Sequence, residues 1–173
     1  MTKNLILYFS RAGNNYTNEG IKNIEIGNTE VIANFINEFI EVDMFKMNPL
    51  NEYPEDYMKC TEVAQEELKN NERPELKEYI EDISEYNVIY LGFPNWWNTM
   101  PMPVWTLLEK LDFNSKTIKP FVTHEGSGFG KSLSDLKDLC PGAKIEKGLS
   151  IQGSFVSSSK EKVSIWVLDA CPI

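Results

Sequence analysis

Short apolar runs and longer amphipathic stretches alternate along this chain. Residues 4–9 (NLILYF) form a continuous apolar run of strand length, the pattern of a strand buried on both faces of a parallel sheet. Residues 29–40 (TEVIANFINEFI) change period. Val31, Ile32, Phe35, Ile36, Phe39 and Ile40 fall at spacings that share one helix face. Residues 41–45 read as a weak second strand. The segment YPEDY at 53–57 opens a polar helix running to about residue 71, and Pro74 is expected to start a short helix over 74–83 (PELKEYIEDI). Residues 87–92 (NVIYLG) are the clearest buried strand, being rich in β-branched and aromatic residues. A long turn follows, then a helix over 104–111. Residues 117–123 (TIKPFVT) form the next strand, in which Pro120 is awkward for a central position. A glycine-rich turn (HEGSGFG), a helix over 131–139, a strand-like segment at 143–149 and a last helix over 160–167 complete the order.

Five strands alternating with helices predict an α/β fold, a parallel sheet covered by helices on both faces. The 173 residues are expected to form a single domain over 1–173. Sheets of this kind bind ligands beyond the carboxyl ends of their strands, where the strand order reverses. Three loops leaving such ends have unusual compositions: residues 10–29, 93–103 and 123–130. Their convergence is a stronger functional signal than any one of them.

Charge narrows the classes of function. With 26 acidic against 17 basic residues the formal charge is −9, and no basic patch suited to nucleic acid is visible. No apolar run approaches the ~20 residues that span a bilayer. The N-terminal run is too short for a secretion signal, so a cytoplasmic protein without membrane insertion is expected. Cys60, Cys140 and Cys171 are far apart and form no CxxC, which fits reduced thiols rather than a zinc site or disulfide frame. His124 is the single histidine, so no multi-histidine metal site is expected.

The first loop holds two Gly-Asn turns, Gly13-Asn14-Asn15 and Gly27-Asn28-Thr29. The second stands at the mouth of the amphipathic helix, where unpaired N–H groups and a partial positive charge favour an anion. Asn28 or Thr29 is expected as N-cap, with Ser10 reaching in from the strand end, and together they make a phosphate cradle that needs no lysine. The sequence carries neither GxxxxGK[ST] nor GxGxxG. In the second loop, Trp96 and Trp97 are expected to divide between core packing and stacking on a planar ligand. In the third, Gly126, Gly128 and Gly130 let backbone pass close to a flat ring. Tyr53 and Tyr57 either border a pocket or pack a helix.

YFSRAGN…GNTEVIA, YPEDY, YLGFPNWWNTMPMPV and FVTHEGSGFGKS together resemble the flavodoxin-like FMN-binding family, over nearly the whole chain. The resemblance implies a five-stranded parallel sheet in the order 2-1-3-4-5 and noncovalent FMN. By position, Ser10 corresponds to the first phosphate-loop hydroxyl, and Gly27, Asn28 and Thr29 to the rest of that loop. Arg11 is counted with them. Pro94, Asn95, Trp96 and Trp97 correspond to the turn lining the isoalloxazine ring. Thr123, His124, Glu125, Gly126, Ser127 and Gly128 correspond to the loop on its other side. The family's phosphate loop is commonly a continuous run, roughly SRTGNT; here a polar insertion separates SRAGN from GNT. Its polarity favours a surface loop, although it could also fold over the cofactor or border a partner.

The resemblance implies electron transfer as a flavodoxin, with redox partner proteins. The alternative is an NAD(P)H-dependent FMN oxidoreductase reducing quinones or similar small acceptors, with His124 as a candidate acid/base group. A monomer or dimer is compatible with either. No Lys or Arg lies in residues 93–103 or 123–130, so a negatively charged reduced flavin is expected to be disfavoured.

Overall fold

The computed structural model describes residues 3–168; Cys171 lies outside them. A parallel sheet holds β4 (Asp43–Lys46), β1 (Asn4–Tyr8), β5 (Val88–Pro94), β6 (Thr117–His124) and β7 (Lys144–Ile145), in that spatial order. A further strand, β8 (Leu149–Gln152), also pairs with β6. This is the expected 2-1-3-4-5 arrangement with its last position divided between two short strands, so the sheet has six strands rather than five. The division has a local cause. β7 pairs with Thr117 and Ile118, β8 with Phe121 through His124, and the gap falls opposite Lys119 and Pro120. Proline has no N–H to donate, and the ladder breaks there.

The alternation of β1 sorts two cores. Leu5, Leu7 and Phe9 face one side, with Ile89, Leu91, Phe93 and Val122 and the buried side chains of α3 (Met102–Leu108) and α4 (Ser132–Leu139). Ile6 and Tyr8 face the other, with Ile32, Ala33 and Ile36 of α1 (Asn28–Phe39) and Val163 and Val167 of α5 (Lys160–Leu168). Leu5–Tyr8 of β1 and Ile89–Phe93 of β5 are therefore buried on one face or the other, which is why these two strands read as continuous apolar runs.

Two segments differ from expectation. Residues 74–83 form no helix: Leu50 N donates to Glu75 O and Lys77 N to Asn48 O, both at 2.8 Å. Residues 75–77 lie extended against 48–50, and the turn-to-turn bonds of a helix are not made. Four acidic residues in ten also gave that helix little internal support. The inserted residues of the first loop are not a plain loop but a hairpin, β2 (Gly13–Thr17) and β3 (Gly20–Ile24), in a separate antiparallel sheet. The polar helix after YPEDY is α2 (Tyr57–Lys69), begun by Asp56, whose carboxylate accepts from Lys59 N at 2.9 Å.

Candidate functional site

Strand β1 and the start of α1 meet at the switch point, between β4 on one side and β5 on the other. Ser10 Oγ accepts a hydrogen bond from Glu30 N at 3.1 Å, so the strand end caps the helix from across the gap. The N-cap position itself is Gly27 (φ −60°, ψ 147°), which has no side chain to do so. The expectation that Asn28 or Thr29 caps the helix is corrected: both lie in its first turn. Thr29 is buried, and its Oγ1 is 2.8 Å from Thr123 Oγ1. That bond ties the helix mouth to the end of β6. Glycine at 27 is required by closeness, not by φ. A Cβ there would stand 2.1 Å from Ser10 Oγ and 2.9 Å from Arg11 N and C.

The ends of β5 and β6 are joined by Asn95 N donating to Thr123 O at 2.9 Å. Beyond it, Trp96 and Thr99 exchange backbone hydrogen bonds at 3.0 and 3.2 Å. The two residues between them, Trp97 and Asn98, both have positive φ (52° and 73°). This is a tight hairpin-type turn, and a left-handed tryptophan costs on the order of 1–3 kcal/mol. The tryptophans divide as expected in one respect. Trp96 packs edge-on against Phe9 (5.1 Å) and Tyr53 (5.0 Å). Trp97 is 47% exposed, its Nε1 donating to Thr61 O at 2.9 Å. Asn95 Nδ2 donates to Ser127 Oγ and Gly128 O, which locks this turn to the third loop. Its Oδ1 is buried and, among the described residues, has no donor.

In the third loop both His124 ring nitrogens are engaged. Gly126 N donates to Nδ1 at 2.8 Å, and Nε2 is 2.9 Å from Ser150 Oγ. With Nδ1 an acceptor, the neutral ring carries its proton on Nε2 and donates it to Ser150. Burial holds the imidazole below its ordinary pKa, outweighing Glu125. His124 is thus a neutral brace for the loop. Glu125 accepts from Ser154 Oγ at 2.7 Å and Gln152 Nε2 at 3.2 Å, fastening the loop to β8 and the short 3₁₀ helix Gly153–Ser158.

These elements enclose a cavity of about 560 Å³. Asn28 and Thr123 line it toward the helix mouth, with Pro94, Asn95 and Trp96 along one wall and His124, Glu125, Gly126 and Ser127 along another. Ser10 and Thr29 stand at the helix mouth, bonded to Glu30 and Thr123; Gly128 accepts from Asn95. Arg11 and Trp97 line a second, larger cavity of about 770 Å³. The Arg11 guanidinium donates to the carbonyls of Asn14, Pro54 and Glu55, pointing toward α2 instead of α1. Asn15, Tyr16 and Tyr57 also line the first cavity, so Tyr57 takes the pocket-bordering one of its two expected places and the insertion is more than the plain surface loop its polarity favoured. The available signal was Asn18-Glu19-Gly20: a two-residue loop followed by glycine at φ 100° is a hairpin turn.

A helix mouth and two interlocked turns at the switch point of a parallel sheet mark the doubly wound α/β class that binds nucleotide-like ligands. Within that class the chain belongs to the flavodoxin family: a family model described as flavodoxin matches residues 23–170. Among solved structures it is similar to a protein of Bacteroides uniformis assigned as a flavoprotein (28% identity, TM-score 0.74, covering 96% of this chain and 98% of that one). It shares its fold with a Lactobacillus acidophilus flavoprotein in complex with FMN (22% identity, TM-score 0.64, 91% and 98% covered). It also shares it with oxidised flavodoxin 2 of Bacillus cereus (20% identity, TM-score 0.56, 96% of each). No curated protein matches the chain. Among the described residues no helix is long and apolar enough to cross a membrane.

Proposed function

We propose that this protein binds FMN noncovalently and serves in electron transfer, exchanging electrons with redox partner proteins or a small-molecule acceptor. The observation that carries this reading is the 560 Å³ cavity lined at once by all three strand-end loops. Its size lies within the ~300–1,000 Å³ of small-ligand sites. The residues present suit the cofactor. The mouth of α1 and the Ser10 hydroxyl favour a phosphate, with no lysine required. Asn95 Oδ1, which has no donor among the described residues, suits a ring N–H donor. Among the FMN structures to which the chain is similar in fold, the Lactobacillus acidophilus complex supports the same cofactor.

Bound FMN supplies one- and two-electron redox chemistry. The chain supplies position. Ser10, Asn28 and the first-turn N–H groups would hold the phosphate. The Asn95 and Thr123–Ser127 backbone would flank the ring, and His124 and Glu125 keep the third loop in place through Ser150 and Ser154. Titrating the purified chain with FMN and with riboflavin, followed by flavin fluorescence, tests the reading. FMN is expected to bind one-to-one and at least about tenfold tighter than riboflavin, the worth of a charge-assisted phosphate contact. Equal affinities would overturn the phosphate site, and no binding of either would overturn the function.

A further inference from the structure

The second cavity adjoins the first without being part of the phosphate cradle. It is about 770 Å³ and lies between the inserted hairpin, helix α2 and the Trp97 turn. The two cavities share Asn15, Tyr16, Tyr57, Asn95 and Trp96, so an occupant of one lies against an occupant of the other. We propose that the second cavity binds a neutral, planar aromatic molecule beside the flavin, a quinone being the redox-active member of that class. This rests on the FMN reading above and adds a ligand to it.

Several observations support that chemistry. The walls are aromatic and aliphatic: Tyr16, Tyr57, Trp97, Ile21, Met58 and Ala64. Four of these are exposed apolar side chains (Tyr16 52%, Ile21 51%, Met58 57%, Trp97 47%), gathered about one concavity. Scattered apolar residues need no explanation, but a concave group of them marks a binding site. The Tyr16 and Tyr57 rings lie 6.1 Å apart and 30° from parallel, a wall suited to a flat molecule. Charge is disarmed. Among the described residues lining the cavity Arg11 is the single cation, and three backbone carbonyls hold its guanidinium. Burial raises the pKa of the Cys60 thiol and of the Tyr57 hydroxyl, so both stay neutral. A phosphate-bearing dinucleotide finds no free counter-charge here. The hairpin wall is also fixed at both ends. Asn18 N donates to Ser154 Oγ at 2.9 Å at its tip, and Asn15 Nδ2 donates to Arg11 O at 3.0 Å at its base.

The test uses FMN-loaded, fully oxidised protein and 2,3-dimethyl-1,4-naphthoquinone. Both partners are then oxidised, so binding is read without electron transfer. Both quinone ring carbons carry methyls, so Cys60 has no free position to attack. Calorimetry gives the affinity, and methyl NMR reports Ile21, Met58 and Ala64. The expected result is saturable binding with shifts at those methyls. A further expectation is at least about tenfold weaker binding of anthraquinone-2-sulfonate, because the sulfonate must be desolvated. Ile21→Glu should weaken the neutral quinone at least about tenfold and change FMN affinity by less than about threefold, while Ile21→Leu binds it normally. No saturable binding, binding without those shifts, equal affinity for the sulfonate, or indifference to Ile21→Glu would each overturn the proposal. If FMN fails to load, the electron-transfer reading fails, and the same titration on the unloaded chain still decides the cavity.

Discussion

Replacing Gly27 with alanine probes the join between strand end and helix mouth. Its φ of −60° is open to any residue, so backbone strain does not enter, and the unfolded chain even loses some freedom, worth about 0.4–1 kcal/mol in favour of the fold. The cost is contact. The new Cβ would stand 2.1 Å from Ser10 Oγ, whereas ordinary contact begins near 3.4 Å. Ser10 can swing away only by giving up Glu30 N, a loss of about 1 kcal/mol. Arg11 N and C, at 2.9 Å, are backbone and have no such escape, which adds about 1–3 kcal/mol of overpacking. The net destabilisation is about 1–3 kcal/mol, measurable by urea unfolding. The ligand effect is more specific. Displacing Ser10 removes a hydroxyl and tilts the first-turn N–H groups, so FMN should bind about 10–100-fold more weakly, with riboflavin nearly unchanged. Ser10→Ala removes the hydroxyl without the clash and should reproduce a smaller part of both effects. If FMN and riboflavin weaken equally, or if neither weakens, the mouth of α1 is not the phosphate site.

Three further outcomes follow from the same geometry. Thr29→Val keeps the shape but leaves the Thr123 hydroxyl buried and unpaired, at a cost of about 1–3 kcal/mol; the Thr29→Val/Thr123→Val double variant should recover part of it in chemical denaturation. The folded state holds His124 below its ordinary pKa of 6.5, so the unfolded chain takes up the proton first as pH falls. Stability should therefore be level with respect to this group above that value and decline below it. Thermal unfolding between pH 7.5 and 5 should show a slope that His124→Gln reduces, and an unchanged slope would exclude His124 as its source. With a chain charge of −9 and no Lys or Arg in residues 93–103 or 123–130, fully reduced flavin gains no counter-ion. Spectroelectrochemical titration should give a second one-electron potential below that of free FMN, and a higher one would refute the electrostatic argument.

The legible parts of this fold were those where a single periodicity governs. The runs at 4–9 and 87–92 are buried on both faces, and α1 has one apolar stripe, so the pattern alone marks them. The segment at 74–83 misled because Pro74 reads as a helix start while the backbone at 75–77 is claimed by residues 48–50. That is a tertiary override, which no local pattern records. The loop ends were legible as a site because their compositions are odd together. The uses of individual side chains were not: that Ser10 caps from another strand, that both His124 nitrogens are engaged, and that Arg11 turns toward α2 depend on partners distant in sequence.

The insertion is compatible with an intact helix mouth because it leaves and rejoins the chain at nearly one point. Gly27 lies so close to Ser10 and Arg11 that its missing side chain is what lets the two halves meet. Between them the chain closes on itself as an antiparallel pair from Gly13 and Ile24 to Thr17 and Gly20, satisfying its own backbone groups. A hairpin that needs no hydrogen bonds from the main sheet adds a wall without altering strand order or register. Its polar residues made it look like surface, yet Tyr16 and Ile21 turn toward α2 and build a cavity that a continuous SRTGNT-type loop would have no side chains to enclose. The same geometry separates the roles of the opened loop: its two ends hold the helix mouth, and its excursion shapes what stands next to it.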